Sequence, residues 1–162
     1  MKINEFIEGY KKARNKVDFC KNHVITTYLT YERKKALCEN IINSSMYKEV
    51  NGKKMFYVDS VIKYELYNLT LIREYTDLEL SNDGAEMLAD FNLLEEVNVM
   101  PEMVKAIGID AVSFDQVLQM MVDDEFANNS LEAKLDAKFE ALELMLRTLG
   151  DVANQEVEIK DE

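Results

Sequence analysis

Residues 46–76 read MYKEVNGKKMFYVDSVIKYELYNLTLIREYT, and the change of period within this stretch decides the fold. Asn51-Gly52 lies between two short runs of strand-forming residues. That dipeptide takes the positive φ values of a two-residue turn, so residues 46–58 predict a β-hairpin. A lone hairpin is barely stable in water and must lie on helices. Directly after it, Asp59 or Ser60 offers a cap for a helix running to about Thr76. Val61, Ile62, Tyr64, Leu66, Tyr67, Leu69, Leu71, Ile72 and Tyr75 leave that helix only a narrow polar strip through Lys63, Thr70, Arg73 and Glu74. A helix that is apolar nearly all round belongs in the middle of a bundle.

Toward the N-terminus, residues 3–15 predict an amphipathic helix with Asn4 as its cap and Ile3 as half of a hydrophobic staple. Phe6, Ile7 and Tyr10 form its apolar side, and Lys11, Lys12, Arg14 and Lys16 make it basic. A short helical piece over 17–23 precedes VITTYLTY, whose β-branched and aromatic residues favour an extended connection or a strand. Thr30 then caps a helix over 31–43. Its Ala36, Leu37, Ile41 and Ile42 recur at helical spacing, with Arg33, Lys34 and Lys35 expected to face water.

Toward the C-terminus the chain turns acidic. Ser81, Asn82 and Asp83 predict a turn and cap before a helix through Met87, Leu88, Phe91, Leu94 and Val97. Pro101 suits the first turn of another helix that ends near Gly108. Ser113 and Gln116 have capping-box spacing ahead of Phe114, Val117, Leu118, Met121 and Val122, and Asn129 and Glu132 repeat that spacing before the last helix. Gly150 is expected to end it. Leu131, Leu135, Phe139, Leu142, Leu146 and Leu149 alternate steps of three and four, the seam of a helix that packs lengthwise on another. The expected organisation is one helical domain over residues 1–150 and a flexible acidic tail over 151–162.

With 162 residues, 48% of them apolar, one Pro and five Gly, the chain is long enough to bury a core and poor in breakers. The expected class is therefore mainly α, a compact multi-helix bundle with one short hairpin. No apolar run approaches the roughly 20 residues that span a bilayer. The first residues lack the apolar stretch of a secretion signal, so no membrane is expected as partner and the cytoplasm is the expected compartment. The net charge of −12 argues against nucleic-acid binding through a basic face. Its distribution is uneven: residues 1–76 carry 14 Lys/Arg against 9 Asp/Glu, and residues 77–162 carry 5 against 22. Such a two-signed chain is suited to contacts with copies of itself or with a charged partner.

The residue types that carry chemistry are sparse. Cys20, Cys38 and the single histidine, His23, give a Cys-x-x-His spacing, but zinc needs three or four ligands and no paired Cys-x-x-Cys supports it. A Cys–His nucleophile would need an orienting group and an oxyanion site, neither of which has a signature here. Glu79 to Asp90 has carboxylates near calcium-loop positions, yet starts with Glu and closes with Asp, so a turn and helix cap explain it better. Asp123-Asp124-Glu125 points its carboxylates in different directions on a helix. The five glycines are scattered and cradle no phosphate. The sequence thus gives no mark of an enzyme, a metal site or a cofactor.

The runs YERKKALCENII, SSMYKEVNGKKMFYVDSVIKYELYNLTLIREYTDLEL and DFNLLEE resemble small proteins encoded by tailed phages and prophages of Gram-positive, Clostridium-like bacteria. The likeness covers roughly residues 3–147 and is most distinctive over 46–80. It carries no catalytic residues and implies a phage context among virion genes, in the host cytoplasm or within the particle. The expected function is a structural or assembly protein, at the head–tail junction or assisting its construction, with phage structural proteins or copies of itself as partners. The alternative is a phage inhibitor that docks on a host protein through its acidic surface. Tyr28, Tyr31, Arg33, Lys34 and Lys35 form the expected basic contact set, and Leu135, Phe139, Leu142, Leu146 and Leu149 the matching apolar set.

Overall fold

Side-chain oxygens set several helix starts. Asn15 accepts from the Asp18 N–H, Thr30 from Arg33, Asp59 from Val61 and Ile62, and Asp83 from Ala85 and Glu86. Each such cap is worth about 1 kcal/mol, because it satisfies N–H groups that the helix itself cannot. The computed structural model describes the backbone of residues 1–158, and side chains except those of residues 132, 133 and 149–158. Its elements are α1 (Ile3–Lys12), α2 (Lys16–Lys21), α3 (Tyr31–Ser45), β1 (Tyr47–Val50), β2 (Lys53–Phe56), α4 (Ser60–Tyr75), α5 (Gly84–Glu96), α6 (Met100–Ile107), α7 (Ile109–Asn128) and α8 (Leu131–Glu158). The protein is mainly helical with one two-stranded antiparallel hairpin, as its sequence predicts.

The hairpin pairs Tyr47 with Phe56 and Val50 with Lys53, turning through Asn51 and Gly52 at φ 53° and 72°. Both values are positive, the conformation that matches the twist of the flanking strands. VITTYLTY is an extended connection: Val24 bridges Thr76, and the Ile25 N–H donates to the Tyr75 carbonyl at 2.8 Å. The segment after α4 is thereby held on one side by residues 23–25. On the other, Lys2 bridges Glu79 and the Glu79 N–H donates to the Met1 carbonyl.

The chain divides into two compact units, Met1–Met121 and Val122–Glu162, with the division inside α7. In the first unit α3 packs on α4, α2 on α6, and α1 on α2 and α5. Phe6, Cys20, Cys38, Met46, Leu71, Ile72, Tyr75, Leu94, Val99, Met103 and Phe114 are fully buried there. Each side chain of this size contributes about 1.5–3 kcal/mol by leaving water. Only the C-terminal half of α4 is the expected core helix. Leu69, Leu71, Ile72 and Tyr75 are buried, whereas Val61, Ile62 and Tyr64 of its first turns remain exposed.

Four local expectations are corrected. Lys2 rather than Asn4 precedes α1, without a side-chain cap, and the helix stops at Lys12, leaving Asn15 to open α2. Ser113 caps nothing, because α7 already begins at Ile109. The break lies at Gly108, whose φ of 86° and ψ of −143° suit only glycine, and the next helix starts at once. Asn129 turns its amide back to the Glu125 carbonyl, and Ser130, not Asn129, directly precedes α8; the side chain of Glu132 lies outside the described residues. Gly150 does not end α8, which continues to Glu158. A glycine inside a helix costs only about 1 kcal/mol, which a long helix absorbs. Residues 151–158 of the expected tail are therefore helical, and 159–162 lie outside the described residues.

Candidate functional site

α3 positions the expected basic set, and its register separates those residues. Lys34, Cys38, Ile41, Ile42 and Ser45 share the buried face, so Lys34 is only 5% exposed and is not a surface contact. This corrects the sequence reading of Lys34 as a water-facing residue. The charge is met inside: Lys34 Nζ donates to Asp110 Oδ1 at 2.5 Å and to Ser113 Oγ at 3.1 Å. The other Asp110 oxygen accepts from the Tyr75 hydroxyl at 2.7 Å and from the Leu29 N–H at 2.9 Å. Burial alone would raise the Asp110 carboxyl, but these hydrogen bonds and the Lys34 charge outweigh it and hold it below the usual carboxylate range. Burial, and then the bond to Asp110, push the Tyr75 phenol far up, so it stays a donor.

This network ties α3, α4, α7 and the 24–30 connection together at one point. Side chains around it stand exposed. Tyr28, next to Leu29, lays its ring 5.6 Å from Lys34 Nζ and remains 67% exposed. Ile25, Tyr31 and Ile109 are exposed as well. Arg33 grips Glu74 with two hydrogen bonds of 3.0 and 2.6 Å, and Lys35 sits 3.9 Å from Glu39 one turn on. The surface at this end is thus aromatic and aliphatic more than basic.

The apolar set lies on α8, in the second unit. Every described side chain from Lys134 to Thr148 is exposed. Phe139 and Leu146 are 65% and 66% exposed, and Leu135 and Leu142 are exposed beside them. Leu149 shares the seam by spacing, but its side chain lies outside the described residues. Met145 and Leu144 add further exposed apolar surface. Charge on the helix is mixed, with Arg147 paired to Glu143 at 2.7 Å.

The two thiols, the histidine and the acidic turn at 81–90 are packed or paired. Cys20 and Cys38 are buried free thiols, and burial pushes them up to about 11 and about 12, so neither is a thiolate at neutral pH. His23 Nδ1 is 3.0 Å from Asp77 Oδ1, with its ring against Phe6 and Phe19. In the acidic turn Ser81 N–H donates to Asp90 and the Ser81 hydroxyl to Glu86, while Asp83 caps α5. Among the described residues no cluster of three or more His, Cys, Asp or Glu side chains could hold a metal ion. A cleft of about 320 Å³ between α3 and α4 is lined by Arg33, Asn40, Thr70, Arg73 and Glu74. Its Arg33 and Glu74 already satisfy one another. Among the described residues no helix is long and apolar enough to cross a membrane.

No protein-family model matches the chain, and neither the curated proteins nor the solved structures contain a match to it.

Proposed function

We propose that this protein is a phage structural or assembly protein that acts through protein–protein contacts, with α8 as its docking helix. The observation that carries this reading is a 28-residue helix whose leucine seam is left in water along its described length. Four large apolar side chains on one line are expensive to leave exposed, since covering each would stabilise by about 1.5–3 kcal/mol. A contiguous apolar stripe of that kind marks a surface built for a partner. The phage context, the virion association and the place near the head–tail junction rest on the resemblance of residues 3–147 to phage and prophage proteins.

The test is made on the particle. A phage carrying Leu142→Asp and Leu146→Asp in this chain should yield fewer complete particles, with the chain reduced or absent in those purified. Undiminished particle yield, together with absence of the wild-type chain from particles and from their assembly intermediates, contradicts the reading. A second reading, a phage inhibitor bound to a host protein, is favoured by one observation: the 22 Asp/Glu against 5 Lys/Arg in residues 77–162. It predicts one host protein recovered with the tagged chain in equal amount, released by salt because exposed charges are screened.

A further inference from the structure

We infer that the α8 seam is covered by α8 of a second copy of this chain, lying parallel to it in a two-helix coiled coil; this rests on the reading of α8 as the docking helix. The spacing sets the frame. Phe139 and Leu146 fall at position a of a heptad, and Leu135 and Leu142 at position d. All four are exposed. That frame places Lys138 at g, Met145 at the next g, and Asp136 and Glu143 at e. In a parallel pair each g residue faces the e residue five positions on in the other helix, so Lys138 meets Glu143 of the second copy. Two-fold symmetry makes that contact twice. In an antiparallel pair e faces e, which would set Asp136 and Glu143 against the same acids of the other copy. The e and g charges are thus complementary to a second copy of the same helix in the parallel direction, where Lys138 joins Arg147, the residue paired with Glu143 within its own helix.

Size sets the expected strength. The four described seam side chains make a contact smaller than the ~800 Å² per partner of a standard interface, so the association is expected to be weak and concentration-dependent. The helix itself, 28 residues, is about 42 Å long, and Leu135, Phe139, Leu142 and Leu146 are exposed along it.

Direction is read by placing one new thiol on the seam. In the Leu135→Cys protein, mild oxidation should link two copies through residue 135. Cys20 and Cys38, buried with raised thiols, do not compete. Glu140→Cys, on the outer face, should link far more slowly. Strength is read by exchanging the charges. Lys138→Glu should weaken self-association on the order of tenfold, and adding Glu143→Lys should restore it. None of these changes touches the buried core, so folding is not at stake. A Leu135→Cys protein that links no faster than Glu140→Cys, or a charge exchange that restores nothing, overturns the parallel pair. A chain that stays monomeric at tens of micromolar also overturns it. If the seam variants still block particle formation in that case, the assembly reading stands with another occupant on α8.

Discussion

Asp110 is the residue on which the first unit turns. It accepts from Lys34, Tyr75 and Leu29, which come from three separate parts of the chain. Replacing it with Ala leaves the Lys34 charge buried without a counter-charge, and the expected loss is about 3–5 kcal/mol of unfolding free energy, measured by urea titration. The same carboxyl makes stability depend on pH. Its folded value lies below the usual one, so its contribution is complete above about pH 4 and disappears as pH falls through the lowered value. Acidification from pH 7 to pH 2 should therefore destabilise the wild type more than Asp110→Asn, and the gap between the two should narrow as pH falls. The two thiols give a second check. In the native protein at pH 8 both should react with a disulfide reagent only as fast as the chain opens, and both should react at once in denaturant.

At the scale of elements, the hairpin is where local chemistry speaks most directly. Gly52→Val puts a β-branched residue at φ 72° and should cost about 1–2 kcal/mol, read as a lowered urea midpoint. The hairpin, the caps at Thr30, Asp59 and Asp83, and the last helix were legible because each depends on residues within a few positions of one another. What was not legible depended on distance. Lys34 stands four residues before Cys38 and seven before Ile41, which puts it on the buried face, although a lysine there is expected to face water. Its counter-ion, however, lies 76 positions away and nothing local announces it. Gln116 and Ser113 have the spacing of a capping box, but a glycine with positive φ at 108 started α7 earlier and overrode it. Of the candidate site, the apolar seam was readable from its period. That it stays in water was not, since burial is a property of what packs against it. Changing Leu142 and Leu146 to Asp should accordingly leave the melting of the first unit within about 0.5 kcal/mol of wild type, because exposed positions contribute little to folding.

At the scale of the whole molecule, the charge split and the exposed helix call for separate experiments. A contact led by the excess of carboxylates would loosen steeply with salt, because exposed charges are screened beyond about 8 Å at physiological ionic strength. A contact led by the seam would hold, since burial of apolar surface is not screened. The account gives the larger part to the seam and only register and direction to Lys138 and Glu143. The measurement that tests this most directly is the absolute mass of the purified protein by light scattering after size exclusion, across concentration and at low and high salt. The account predicts a mass that climbs from 18.8 kDa toward twice that value as concentration rises, at either salt, and a Leu142→Asp/Leu146→Asp protein that stays at the monomer mass. A wild-type chain that remains a monomer throughout, or a seam variant that associates as the wild type does, would contradict it.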